Sequence, residues 1–431
     1  MQQSQLVSAG PMRYDDNSMN GQSNARFGVE AHRFAAAVAI GGAAFFLLFG
    51  YEAVRSASTS LFVGHYGAGK LPWVMALSPV ATAAMLYGYG LSLTRLGARR
   101  TLAATSLVSA GILAFCWASL TVASGQLGGP ASALLYVVRE GYIVLIIEQY
   151  WSFINSTLRP DEAKRVNGPI CGIASIGAIL GGLTVGGLAQ TLGTVPLVLI
   201  TAVSLLPAAA LGLYAYHLGG TPRGEERGGA KHGSLALDLF SKHRVLVHVG
   251  LLILLTQTVS TVLDLCFNGL LAEAIPAQDE RTAYLGNFYA LLNGGAFFMQ
   301  FLVTPLILQR VQLRHVHMGI PQVHAAAAVA VILQPGLFTA AAAYVIFKTF
   351  DYSLFRAAKE LLYMPLPYDA RYRAKEVIDA FGYRASTGLT SGLVVVAGWI
   401  VGPLPIFAYP VVALLAACGW QQVAHRATRD S

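Results

Sequence analysis

Residues 337–363 read LFTAAAAYVIFKTFDYSLFRAAKELLY. The stretch is long and apolar enough to cross a bilayer as one helix, yet it holds Lys348, Asp351, Arg356, Lys359 and Glu360. A charge near the bilayer midplane costs at least about 2.5 kcal/mol, so such side chains face protein or a watery cavity and mark a path for something charged. Counted as α-helix, Lys348, Tyr352, Phe355 and Lys359 form one stripe, while Arg356 and Glu360 make an i,i+4 pair on another. Cations interleaved with aromatic rings suit a flat, anionic ligand: the charges clamp phosphate and the rings stack on a base. For Arg356 and Glu360 a salt bridge near the inner surface is the simpler reading.

The same conflict recurs elsewhere. Arg55, Arg139 and Arg384 also lie inside apolar runs, so six cations are intramembrane. The chain of 431 residues is 55% hydrophobic and only 12% charged, which is the composition of a polytopic membrane protein. Apolar runs recur at about 34–62, 71–94, 101–123, 131–156, 169–190, 194–217, 245–272, 284–308, 316–333, 337–363, 377–402 and 404–422. The fold class expected is therefore all-α, with about twelve transmembrane helices.

Charge fixes the orientation. With both termini inside, 21 of the 29 Lys and Arg residues fall in inner segments and two, Lys70 and Arg281, in outer ones. That asymmetry matches the positive-inside rule, places the chain in the cell's inner membrane with cytoplasmic termini, and explains the net charge of +8 without a nucleic-acid partner. The expected organisation is a disordered tail (1–32), a six-helix bundle (33–218), a Gly- and charge-rich cytoplasmic linker (219–243), a second six-helix bundle (244–423) and a short tail (424–431). The halves echo one another. Tyr136-Val137 leads to Arg139 as Tyr344-Val345 leads to Lys348, and Arg95 and Arg99 answer Arg310 and Arg314. Six spans, a linker and six similar spans in the same orientation make a parallel repeat, as in the major facilitator fold.

Further motifs carry charge into this frame. Residues 90–100, GLSLTRLGARR, resemble the major facilitator loop motif with Thr94 in place of its Asp; Arg95 and Arg99 there serve either gating or plain inner-face anchoring. Glu52 and Arg55 share a helix face and can pair. On the fourth span Glu148, Ser152 and Asn155 form a polar stripe expected to line the cavity, with Arg139 and Glu140 nearer its start. The alternative for the stripe is helix–helix hydrogen bonding. Asp264 on the seventh span can carry a proton or receive a cation. The glycines of the fifth span, from Gly172 to Gly187, read as helix-packing residues. Cys116, Cys171, Cys266 and Cys418 lack paired spacing and read as packing residues, and the ten histidines show no metal spacing. No nucleophile motif, metal site or cofactor is expected, and an enzyme is disfavoured.

Four stretches resemble the bacterial and plastid ATP:ADP antiporter family of the major facilitator superfamily: Arg55 through Gly64 to Pro72; Trp151–Asn155 with 162–165; 264–267; and 359–366 with Arg373-Ala374-Lys375, Ile378-Asp379 and Arg384. The last is the most specific. The resemblance implies twelve spans and movement of adenine nucleotides by exchange. The chain departs from the family pattern at Ser58-Thr59, where a Lys-Asp pair is usual, and at Asn268, where a Lys is frequent, which implies a weaker preference for triphosphate. The expected substrate contacts are Arg55, Arg139, Lys348, Tyr352, Lys359 and Arg384. The expected coupling or gating residues are Glu52, Glu140, Glu148, Asp264, Asp351, Asp379, Arg95 and Arg99. The expected partners are an anionic small molecule, a nucleotide first, and the lipid bilayer, with the protein a monomer. The alternative is a proton-coupled carrier of another organic anion or metabolite, with Glu52, Glu148 or Asp264 as the proton carrier.

Overall fold

The computed structural model describes residues 16–158, 160–220, 244–364, 366, 378 and 382–429. Among these the chain forms twelve helical rods: α1 (Asp16–Tyr66), α2 (Leu71–Leu96), α3 (Ala98–Val122), α4 (Ser124–Thr157), α5 (Pro160–Leu192), α6 (Thr194–Gly219), α7 (Arg244–Ala274), α8 (Gln278–Arg310), α9 (Leu313–Leu333), α10 (337–363), α11 (Tyr383–Val401) and α12 (Ala408–Ala427). They match the twelve apolar runs in order. Two rods are interrupted by a π-helical turn, Met299–Val303 in α8 and Asp351–Phe355 in α10.

Two boundaries differ from expectation. Helix α1 begins at Asp16, inside the stretch 1–32 read as a disordered tail. No proline lies between Pro11 and the membrane run, and a nucleated helix gains one hydrogen bond for each residue it adds. Helix α12 starts at Ala408 instead of 404 because Pro403 and Pro405 withhold backbone donors just after Gly402, which turns at φ +83°. The stretch 221–243, nearly all of the expected linker, and Asp379 lie outside the described residues.

The packing repeats. In the first half α1 contacts α4, α5 and α6, while α3 packs on α4 and α6; in the second half α7 contacts α10, α11 and α12, while α9 packs on α10 and α12. Each half buries its own apolar core, one around Leu47, Tyr142 and Phe153, the other around Phe267, Phe347 and Trp420. The halves join through α5 against α8 and α2 against α11, pairs that exchange places when the halves are exchanged. Glycine makes the first junction possible. A Cβ at Gly182 would lie 2.7 Å from the Gly286 carbonyl oxygen, and one at Gly286 would lie 2.6 Å from the Gly186 nitrogen. Gly177 and Gly181 press more closely still on the α1 backbone at Phe45 and Phe49. The fifth span is thus a small-residue helix wedged between halves, as small-residue packing in membranes requires.

The seam lies at the end of the bundle that carries the α1–α2, α5–α6, α7–α8 and α11–α12 connections. There Ser60 Oγ donates to the Gln278 carbonyl (2.8 Å), Arg281 Nη2 donates to the Ser60 carbonyl (2.9 Å), and Thr194 donates its N–H (2.8 Å) and hydroxyl (2.6 Å) to Asp279. Trp73 packs against Trp399 at a centroid separation of 5.3 Å.

Candidate functional site: a cationic cavity between the halves

Behind the seam, a cavity of about 530 Å³ lies between the two halves. Among the described residues its walls carry six cations, Arg55, Arg139, Lys348, Arg356, Lys359 and Arg384, against four carboxylates, Glu140, Asp264, Asp351 and Glu360. Six tyrosines share the lining: Tyr51, Tyr136, Tyr289, Tyr344, Tyr352 and Tyr383. All six substrate contacts expected from the sequence fall on this one surface, from α1, α4, α10 and α11.

Arg139 is the most tightly held. It is only 4% exposed. Its Nη1 donates to the Arg55 carbonyl (2.7 Å), Ser58 Oγ (2.7 Å) and Thr59 Oγ1 (2.6 Å), and its Nε donates to Glu140 (3.1 Å). The guanidinium carbon lies 3.8 Å from the centre of the Tyr136 ring. Ser58 and Thr59, the departure from the antiporter pattern, are therefore the acceptors that fix this arginine to α1. Charged hydrogen bonds of this kind are worth about 1.5–3 kcal/mol each in a dry interior.

Arg55 bridges the halves. Its guanidinium stacks 3.7 Å from the Tyr289 ring of α8 and lies 3.5 Å from Glu52. Glu52 also accepts from Asn293 of α8 (2.9 Å), while its second carboxylate oxygen is buried without a hydrogen-bond partner. The pair inferred from the i,i+3 spacing is thus present and is tied to the opposite half.

Lys348 is held differently. Its ammonium stands 5.2 to 5.8 Å from the Tyr344, Phe347 and Tyr352 rings. It forms no ion pair within 4 Å among the described residues. Asp264 lies within its electrostatic field, and within those of Arg55 and Arg139, and accepts from Asn268 Nδ2 (2.9 Å). Asn268, the second departure from the family pattern, thus occupies the Asp264 carboxylate without adding charge.

The π turn of α10 corrects the expected stripe. A π turn holds more residues than an α turn, so the helix beyond it rotates about its axis. Phe355 leaves the cavity face and packs 5.1 Å from Trp420 in the core. Arg356 and Glu360 move onto the cavity face with Lys348, Asp351, Tyr352 and Lys359. Arg356 then lies 5.1 Å from the Tyr352 ring and 5.7 Å from Tyr383, and the carboxylate of Glu360 lies 3.8 Å from Lys359. Asp351, within the turn, is 2% exposed and has one carboxylate oxygen without a partner.

The expected polar stripe of α4 does not line the cavity. Glu148, Ser152 and Asn155 are exposed, and Glu148 interacts electrostatically with Tyr89 and Arg384. Arg95 and Arg99 are exposed on either side of Gly97, whose φ of +76° turns α2 directly into α3. They sit at the end of the bundle away from the seam.

The structure adds Gln257 and Thr261, which the sequence reading missed, to Asp264 and Asn268 on one face of α7. Gln257, Thr261, Asp264 and Asn268 all line the cavity; their spacing of four, three and four is a helical stripe legible in the sequence. Gln257 Nε2, Thr261 Oγ1 and Thr82 Oγ1 are buried without protein partners on this wall. Arg281, counted among outer-loop charges, is 4% exposed and donates to the carbonyls of Ile275 (3.3 Å) and Pro276 (3.1 Å) in the α7–α8 connection while reaching α1.

This architecture defines an all-α, polytopic membrane protein of the major facilitator fold. Its similarity to solved structures says the same. The chain resembles a point mutant of the nucleoside transporter NupG (TM-score 0.66, 13% identity, covering 92% of this chain and 99% of that one). It also resembles an auto-inhibited peptide transporter of the POT family (TM-score 0.64, 13% identity, 91% and 97%) and a D-xylose–proton symporter (TM-score 0.62, 14% identity, 89% and 96%). No family model matches the sequence, and no curated protein matches it.

Proposed function

We propose that the protein is a secondary transporter that works by alternating access and carries an organic anion, adenine nucleotides being the leading cargo class. One observation carries this: six cations and six tyrosines converge on a single cavity at the interface of two pseudo-equivalent halves. Among the described residues four carboxylates face the six cations, which leaves the wall net positive. An anion with a flat ring system complements such a wall, phosphates on the cations and ring on the tyrosines. With the termini in the cytoplasm of a cell whose inner membrane holds the chain, the joined seam is the outer gate. Rocking the halves about the cavity would part Ser60 from Gln278 and Thr194 from Asp279.

The test is uptake of labelled ATP into proteoliposomes preloaded with ADP, with ATP, ADP, AMP and adenosine as competitors. The three nucleotides should compete, adenosine should fail, and uptake should persist with a protonophore. Equal competition by adenosine and ATP would remove the phosphate clamp. Failure of all four would reject nucleotides.

A second reading rests on Glu52. Its carboxylate joins Arg55 to Asn293 across the seam yet keeps one oxygen without a partner, an arrangement that can take up a proton as the halves move. Under that reading the cargo is another organic anion or metabolite, and uptake collapses when the proton gradient is dissipated.

A further inference from the structure

A second chamber, of about 970 Å³, continues from the cationic cavity toward the end of the bundle that carries the termini. Tyr51, Arg55, Glu140, Tyr352, Arg356, Glu360 and Arg384 line both, so the two are joined along a shared wall. Their chemistry differs sharply. Beyond the shared residues, the second chamber is faced chiefly by aliphatic and aromatic side chains of α1, α4, α5 and α8, among them Leu48, Ile147, Trp151, Ala174, Phe297 and Leu308. An exit path for a fully hydrated anion has no use for such a wall, because apolar side chains replace none of the water the anion sheds. An apolar group attached to the anion does gain from it, at about 25 cal/mol for each Å² removed from water.

We propose that the joined chambers also take an anionic amphiphile, its charged head in the cationic cavity and an apolar tail in the second chamber. This rests on the anion reading of the first cavity. The second chamber holds the tail of the same molecule. The charge complementarity of the head site and the continuity of the two walls argue for it. A plain nucleotide or small phosphate ester would fill the first chamber alone.

The experiment is calorimetric titration of the full-length protein in nanodiscs with n-alkyl phosphates from methyl to decyl, each below its micelle concentration. Protein-free nanodiscs are subtracted and n-decanol is the neutral control. The expected result is a Kd that falls by up to about fourfold per methylene until the chamber is filled, then levels off. Ile147→Asn, which makes the wall polar, and Ala174→Phe, which fills it, should flatten that dependence while methyl phosphate binds as before. Lys348→Gln should weaken every phosphate by a similar factor. If methyl and decyl phosphate bind alike, the amphiphile is rejected and the anion site stands. If no phosphate binds, the anion reading itself fails and takes this one with it. If decanol binds as tightly as decyl phosphate, or neither wall variant changes the chain-length dependence, the tail is partitioning into lipid and the proposal is overturned.

Discussion

Arg139 on α4 and Lys348 on α10 hold corresponding places in the two halves, each shortly after a Tyr-Val pair, and both line the same cavity. Their surroundings are opposite. Arg139 donates to one backbone carbonyl, two hydroxyls and a carboxylate, and its guanidinium carbon lies 3.8 Å from the centre of the Tyr136 ring. Lys348 faces three rings at more than 5 Å and forms no ion pair within 4 Å among the described residues. A cation held by several acceptors within its own half stabilises that half, and one left facing the cavity is available to a ligand. We propose on this ground a structural role for Arg139 and a binding role for Lys348.

The largest effect that can break this comparison is on Arg139. Arg139→Ala should remove about 3 kcal/mol or more of stability, since it strips partners from Ser58, Thr59 and the Arg55 carbonyl in a dry interior. Thermal unfolding of the purified protein would show it, and Arg139→Lys should fail to restore the midpoint because an ammonium cannot reproduce the fork and stack. A variant that melts like the parent but no longer transports would place Arg139 among the ligand contacts after all.

Next is Lys348→Gln. Loss of one charge-assisted contact should lower apparent affinity for an anionic cargo about 10- to 100-fold while the unfolding midpoint stays put. Unchanged transport, or a protein that no longer accumulates in the membrane, would contradict the role.

Asp264→Asn sharpens the same point with a smaller, opposite change. Asp264 is the acid whose field reaches Lys348. Removing its charge should tighten anion binding by about three- to tenfold, read as a lower concentration for half-maximal competition. Weaker binding would mean that the carboxylate positions the lysine instead of competing with the cargo. The smallest effect belongs to Thr59→Val, which deletes one of Arg139's acceptors: about 1–2 kcal/mol of stability, with no change in anion affinity.

Much of this was legible in the sequence, because a bilayer makes hydropathy decisive. Twelve apolar runs became twelve rods in order, and each of the six intramembrane cations reached the cavity. What stayed hidden has local causes. The π turn at Asp351–Phe355 leaves hydropathy untouched, so α-helical counting gave the stripe to Phe355 and withheld it from Arg356. The role of Ser58 and Thr59 needed a partner 80 residues away, which spacing along α1 cannot reveal. Glu148 was drawn toward the cavity by its stripe on α4, but the face of α4 that lines the second chamber is apolar, through Ile143, Ile147, Tyr150 and Ile154. Tyr289 and Asn293 carry no pattern of their own, and only the crossing of α1 and α8 gives them Arg55 and Glu52 as partners.

The most direct test of the central claim is the shift in unfolding temperature caused by ADP in the wild-type protein and in Lys348→Gln, measured side by side at low salt. Ligand that binds only the folded state raises the midpoint with concentration. The expected result is a rise for the wild type that is nearly absent in Lys348→Gln, with the two ligand-free midpoints the same. An equal rise in both proteins, or none in the wild type, would contradict it.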